Sequence, residues 1–126
     1  MAESTASHDF LEHLAARDFA GLASTLSPDV QVRLLLPRGL EEYSDRDAVV
    51  RRIEGWFGTA SVFDLDSSTA EPIGSRQRLS WRFRVVRDGH TQEVVEQVAF
   101  LTLGSGGIDR MDLLCSGFQT ELSPEA

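Results

Sequence analysis

The chain has 126 residues, a formal net charge of −8 and 41% hydrophobic residues, which is the size and balance of one globular domain with a single core. The acidic excess argues against nucleic acid and anionic membranes as partners, since both need a clustered positive surface. Lysine is absent, which excludes Schiff-base catalysis and a phosphate-loop lysine.

The single cysteine, Cys115, cannot form an internal disulfide, and no cluster of cysteine and histidine suggests a metal site. There is no signal-peptide pattern and no apolar run of about 18 residues. We therefore predict a cytoplasmic protein without a cofactor. Residues 1–126 would form one domain, with frayed ends at about residues 1–6 and 122–126.

Two short helices are predicted to open the chain. After Ser7, a candidate cap, Phe10 and Leu14 begin an apolar stripe at helical spacing. A similar stripe spans residues 19–26 and ends before Pro28.

A strand is predicted at residues 30–36, followed by a loop at 37–43 that contains proline and glycine. The third helix is predicted to begin at "SDRD", where Ser44 and Asp47 have the spacing of a capping box, and to end at Gly58.

Strand-like segments fill the rest of the chain, and the last three are separated by "DG" and "GSGG", which are hairpin signals. A two-residue loop at "DG" would place Trp81 opposite Glu96, and a four-residue loop at "GSGG" would place Glu96 opposite Cys115. A three-residue "DG" loop would set Trp81 against Val95 instead, but the first register matches apolar faces better. The predicted apolar face around Trp81, Glu96 and Cys115 contains Leu79, Phe83, Val94, Val98, Phe100, Met111 and Leu113.

The opposite face is predicted to be mixed. Arginines would share it with the aliphatic residues Val95, Ala99, Leu101 and Leu114. Such a face favours a symmetric homodimer through the outer side of the sheet, with a solvated face as the alternative.

The order of these elements resembles the nuclear transport factor 2-like superfamily, which includes SnoaL-like polyketide cyclases and ketosteroid isomerases. The segments "RDFAGLASTLSPDVQV", "GWFG" and "GGIDRMDLLCSGF" carry the resemblance. It implies an α+β, cone-shaped fold in which three N-terminal helices pack on the concave face of a curved, mostly antiparallel sheet. A cone of this kind encloses a largely apolar pocket.

The resemblance also suggests which functional positions are filled. The isomerase base matches Leu34 and the phenol matches Phe10, so both roles are vacant, and the acid of the cyclases would fall near Ser116. The carboxylic acid that donates a hydrogen bond to the oxyanion in isomerases matches Glu96. The resemblance therefore implies a pocket with one polar group, Glu96.

From these patterns we predict that the protein binds a small, largely apolar molecule in an internal pocket. Glu96 is the candidate catalytic group, as acid or base in cofactor-free proton transfer of the isomerase, cyclase or hydrolase type. We predict Arg38 and Tyr43 at the pocket mouth. The predicted ligand contacts are Phe10, Leu34, Trp56, Trp81, Phe83, Val98, Phe100, Met111, Leu113 and Cys115.

An alternative interpretation remains open for each of these residues. Glu96 could form an internal ion pair with Arg33 or Arg38, the aromatic residues could simply fill the core, and Cys115 could be a packed, inert thiol. The protein would then be a non-catalytic binding or assembly protein that acts through its outer sheet face.

Overall fold

The computed structural model describes residues 2–87 and 91–120, with side chains from residue 6 onward. The described residues form three helices and seven strands. The helices are α1 (Ala2–Ala16), α2 (Phe19–Ser24) and α3 (Arg46–Phe57). The strands are β1 (Leu26–Leu36), β2 (Gly39–Tyr43), β3 (Ala60–Ile73), β4 (Arg76–Arg87), β5 (Glu93–Gly104), β6 (Gly107–Cys115) and β7 (Gln119–Thr120).

The strands form one curved sheet in the order β2-β1-β6-β5-β4-β3, and β7 pairs with the end of β5. The pairing of β1 with β6 is parallel, whereas the other pairings are antiparallel. The helices pack on one face of this sheet, so the predicted α+β cone is confirmed. No helix of the described residues is long and apolar enough to cross a membrane.

Local differences from the sequence predictions have simple causes. Helix α1 already begins at Ala2, so Ser7 is a buried helical residue and not a cap. Helix α3 is capped by Asp45, whose side chain accepts a hydrogen bond from the backbone N–H of Ala48 at 3.0 Å, and not by Ser44. The predicted loop at 37–43 contains only a short turn and then β2, which pairs with β1.

The core lies between the helices and the concave face of the sheet, and its centre is aromatic. Phe57 at the end of α3 is fully buried and packs against the rings of Phe63 and Phe83, with ring centroids 4.9 Å and 5.6 Å away. Phe10 of α1 packs against Trp81 of β4 at 5.9 Å. These rings fill the inside of the cone with the chain's own side chains.

The register of β5 differs from the prediction by one residue. Leu103 lies opposite Ile108 as predicted, but Thr102 lies opposite Arg110, so that Asp109 is an extra residue in β6. The hydroxyl of Ser27 in β1 donates a hydrogen bond to Asp109 at 2.5 Å and holds this bulge in place.

The pairing of β5 with β4, on its other side, is also shifted by one residue from the predicted register. The ladder places Trp81 opposite Gln97, and the end of the ladder pairs Val85 with Glu93. The two-residue turn at Asp88 and Gly89, on which the predicted register depended, lies outside the described residues.

A shift of one residue exchanges the two faces of a strand. The faces predicted for β4 and β6 are confirmed, but both faces of β5 are reversed. Val95, Gln97, Ala99 and Leu101 point into the core and are at most 1% exposed. The residues on the outer face are Val94, Glu96, Val98 and Phe100.

Candidate functional site

A row of three hydrogen-bonded side chains crosses the concave face of the sheet. The indole N–H of Trp81 donates to Oε1 of Gln97 at 2.9 Å, and Nε2 of Gln97 donates to Sγ of Cys115 at 3.2 Å. Gln97 is 1% exposed. The amide of Gln97 is therefore a polar group inside the apolar cone, and it satisfies the buried indole N–H by accepting its hydrogen bond.

Glu96 lies on the opposite face, so the prediction that its carboxyl points into the pocket is wrong. Its side chain is exposed, and its Cα lies opposite that of Arg82 on the outer side of the sheet. There it borders a shallow groove of about 90 Å³. Arg33, one of its alternative ion-pair partners, contacts Glu42 instead, at 3.6 Å.

The predicted ligand contacts do not share one cavity. Five of them are at most 2% exposed and belong to the packed core: Phe10, Leu34, Trp81, Phe83 and Met111. Leu113 is 3% exposed and packs in the same core. Val98 and Phe100 line a groove of about 430 Å³ on the outer face, because the faces of β5 are reversed.

Three of the predicted residues do come together at the open end of the cone. Trp56, Cys115 and Arg38 border a cavity of about 630 Å³, which we call the mouth cavity. The lining residues are Leu36, Pro37, Arg38, Glu41, Arg52, Trp56, Arg87, Cys115, Gly117, Phe118 and Gln119.

One wall of the mouth cavity is shaped by the glycine that follows β6. Gly117 has a φ of 79°, in the left-handed region, and a Cβ there would lie 2.7 Å from Cγ of Pro37. The chain therefore turns closely against Pro37 and places Phe118 in the wall. The guanidinium of Arg87 lies over the ring of Phe118, with Cζ 3.8 Å from the centroid.

The facing wall comes from α3 and β2. Arg52 and Trp56 are one helical turn apart, and Cζ of Arg52 lies 5.4 Å from the ring centroid of Trp56. Arg52 also donates two hydrogen bonds to the carboxylate of Glu41, at 2.8 Å and 3.2 Å. The hydroxyl of Tyr43 donates to the same carboxylate at 2.8 Å, but Tyr43 itself lines a neighbouring groove and not the mouth cavity.

These contacts shift the pKa values of Glu41 and Tyr43. The hydrogen bond from Arg52 lowers the pKa of Glu41 below its ordinary value, and the bond from Tyr43 adds to this effect. Burial raises the pKa of Tyr43, and its bond to the carboxylate raises it further. Near neutral pH Glu41 is therefore an anion held by its partners, which makes it a poor proton acceptor.

The arrangement is suited to binding. It combines aromatic surface from Trp56 and Phe118 with guanidinium donors and a thiol that is 9% exposed. In the described part of the chain, no group of three or more histidine, cysteine, aspartate or glutamate residues is placed to hold a metal ion.

The sequence predictions did not identify Gln97, Arg52, Arg87 and Phe118 as site residues. Two of them had a signal in the sequence. Arg52 precedes Trp56 by four residues on an amphipathic helix, and a neutral amide at position 97 is easier to bury than a carboxylate at 96. Arg87 and Phe118 meet only through the folded chain.

The chain is similar to known proteins in its three-dimensional structure. No protein-family model matches the sequence, and no curated protein matches it significantly. A candidate polyketide cyclase from Xanthomonas campestris pv. campestris is 16% identical, with a TM-score of 0.73, over 89% of this chain and 88% of that one. A candidate SnoaL-like polyketide cyclase from Shewanella denitrificans OS-217 is 10% identical, with a TM-score of 0.70, over 91% and 90% of the two chains.

A third similar structure contains a small molecule. TerC, co-crystallised with polyporic acid, is 16% identical, with a TM-score of 0.68, over 90% of each chain. At these identities the likeness concerns the fold. The chain therefore shares the cone-shaped α+β fold of these solved structures.

Proposed function

We propose that the protein binds a small, largely apolar molecule in the mouth cavity. The observation that carries this proposal is a cavity of about 630 Å³ in which Trp56, Phe118 and Cys115 are joined by polar side chains. Small-molecule sites are concave, have volumes of about 300–1,000 Å³, and combine apolar walls with a few polar groups. The TerC structure, which has a similar fold and was crystallised with polyporic acid, supports a ligand of this size.

The proposal is limited to binding. Glu96, the predicted acid or base, lies outside the cone, and Glu41 is held as an anion by Arg52 and Tyr43. The deep interior that was predicted to hold the ligand is filled by residues such as Phe10 and Trp81. We therefore place the ligand nearer the open end of the cone.

Cys115 provides a direct test of occupancy, because it is the single cysteine of the chain and it lines the mouth cavity. We expect 2-naphthoate or its neutral amide, 2-naphthamide, to slow the alkylation of Cys115 by iodoacetamide. The rate should fall about tenfold when the compound is present at about ten times its Kd. Mass spectrometry of the modified protein measures this rate.

Trp56→Ala should weaken this protection, because it removes an aromatic wall of the cavity. Leu65→Ala is the matched control, since Leu65 is 41% exposed on β3 and does not line the cavity. If neither compound slows alkylation up to its solubility limit, the proposal is wrong.

A second candidate function is assembly through the outer sheet face. Leu35, Leu40 and Leu114 are 48%, 50% and 55% exposed there, around the outer groove that also contains Val98 and Phe100. Exposed apolar side chains that lie together in one patch, as these do, are typical of a protein–protein contact surface. We propose that this face pairs with a second copy of the chain in a symmetric homodimer.

Leu114→Arg should convert the dimer to a monomer, because it places a charge at the centre of the apolar face. Light scattering during size-exclusion chromatography measures the mass. Ile73→Arg is the control, since Ile73 is 51% exposed but does not line the outer groove. A wild-type mass of one chain would contradict the homodimer.

A further inference from the structure

The charge of the mouth cavity is opposite to that of the whole protein. Among the described residues, its lining includes Arg38, Arg52 and Arg87 but only one carboxylate, that of Glu41. The chain as a whole has a formal charge of −8. A concave, partly apolar site with an excess of guanidinium groups attracts anions, because low-dielectric walls strengthen the local field.

Two of these arginines are held in fixed positions. Arg52 is bound by Glu41 and lies over Trp56. Arg87 donates from Nε and Nη2 to Oε1 of Glu93, at 3.1 Å and 2.8 Å, and lies over Phe118. A guanidinium carries five N–H donors, and the bonds to Glu41 and Glu93 use only Nε and Nη2 of each arginine. Each arginine therefore retains donors in a preorganised position.

The third arginine has no ion pair or hydrogen bond within the described ranges 2–87 and 91–120. Arg38 is exposed in the turn between β1 and β2, where it follows Pro37. Pro37 restricts the turn because proline fixes its own φ, and Gly39 allows it by adopting a φ of 137°. Arg38 is thus the guanidinium most available to a ligand at the rim.

The outer groove provides a contrast within the same molecule. Its arginines are Arg33 and Arg76, and both are paired with carboxylates, Glu42 at 3.6 Å and Asp112 at 2.9 Å. Of the arginines that line the mouth cavity and the outer groove, Arg38 is therefore the one without a carboxylate partner among the described residues.

From these contacts we infer that the ligand of the mouth cavity is an aromatic anion. Its flat apolar body would lie between Trp56 and Phe118, and its carboxylate, phenolate or enolate oxygen would accept hydrogen bonds from Arg38 and from the remaining donors of Arg52 or Arg87. This inference rests on the proposed binding function and adds the chemical class of the ligand. Guanidinium groups match such oxygens in charge and geometry.

The experiment compares two probes that differ in one group. Calorimetric titration at about pH 8, where a carboxylic acid is ionised, should show that 2-naphthoate binds about tenfold more tightly than 2-naphthamide, as expected for a charge-assisted hydrogen bond. The advantage should shrink when the salt concentration rises from about 0.05 M to about 0.5 M.

Two arginine variants show which guanidinium group causes the preference for the anion. Arg38→Gln should remove most of the preference for the anion. Arg51→Gln makes the same change in net charge but should keep the preference, since Arg51 is exposed on α3 and does not line the cavity.

Each other outcome overturns part of the inference. Equal affinities for the two probes would refute the anionic ligand class and leave the binding proposal standing. If neither probe binds, both proposals fail together. A preference that is undiminished in Arg38→Gln would refute the role of Arg38.

Discussion

Two exchanges between amide and acid at neighbouring positions of β5 should differ greatly in their effect on stability. Gln97→Glu should lower the free energy of unfolding by about 3 kcal/mol near neutral pH, because it buries a carboxylate and removes the donor to Cys115. Glu96→Gln should change it by less than about 0.5 kcal/mol, because this side chain is exposed. Urea unfolding of the two variants and the wild type measures the difference.

The loss in Gln97→Glu should also depend on pH in a defined direction. Burial raises the pKa of the introduced carboxyl in the folded state above its value in the unfolded chain, which is about 4.3. The folded variant therefore binds a proton at pH values where the unfolded variant does not. Its deficit relative to wild type should be largest above the folded pKa and should shrink as the pH falls toward the unfolded value.

The same pair of variants tests the register of β5. If Glu96→Gln were strongly stabilising or destabilising and Gln97→Glu nearly neutral, position 96 would face the core, as the sequence analysis predicted. The two variants change the net charge by one unit in opposite directions, so a general effect of net charge would give shifts of similar size and opposite sign. The expected contrast is instead a large loss at position 97 and almost no change at position 96.

The second large effect is expected at Phe57. Phe57→Ala should lower the free energy of unfolding by about 3–5 kcal/mol, because it leaves a cavity where several aromatic rings meet. Phe57 has ring contacts with both walls of the mouth cavity as well as with the core, so ligand affinity should fall too. Its ring contacts are Trp56 at 5.8 Å, Phe63 at 4.9 Å, Phe83 at 5.6 Å and Phe118 at 6.0 Å.

Denaturant unfolding followed by circular dichroism measures this loss. Leu65→Ala is the control for aliphatic truncation at an exposed site, and it should stay within about 0.5 kcal/mol of wild type. Phe57→Leu should lose less than Phe57→Ala, since it fills part of the space. A value for Phe57→Ala within about 1 kcal/mol of the control would contradict a central packing role for this ring.

The fold could be predicted from the sequence because its signals are local or repeated. Apolar stripes at helical spacing indicate the helices, alternating residues indicate the strands of the sheet, and segments such as "GWFG" resemble the superfamily. Strand β2 was missed because Pro37 and Gly39 read as a loop, whereas in the fold they only bound a tight turn. A proline at a strand end is compatible with pairing on an edge.

The orientation of β5 could not be predicted reliably because both of its faces are apolar. Val94, Val98 and Phe100 would have suited the core as well as Val95, Ala99 and Leu101 do. The decision depends on the bulge at Asp109, which is held by Ser27 from a strand distant in sequence. A strand register that is counted from the length of the turn alone does not account for such an inserted residue.

The candidate site was predicted only in part. Trp56, Cys115 and Arg38 were predicted at the pocket or its mouth, and all three line the mouth cavity, whereas Tyr43 contacts Glu41 of the lining but lines a neighbouring groove. Arg87 and Phe118 come from segments that meet only after β7 pairs with β5. Their contact forms only in the folded protein, so no pattern along the sequence indicates it.

The parallel pairing of β1 with β6 has a consequence for how the molecule reaches its native state. Val32 lies opposite Met111, so the strand that follows the first two helices finds its neighbour near the other end of the chain. Contacts between such distant segments slow folding, because a long loop must close before they form. During synthesis β1 cannot take its place beside β6 until β6 has left the ribosome, and the hairpins formed by β3, β4 and β5 can assemble first.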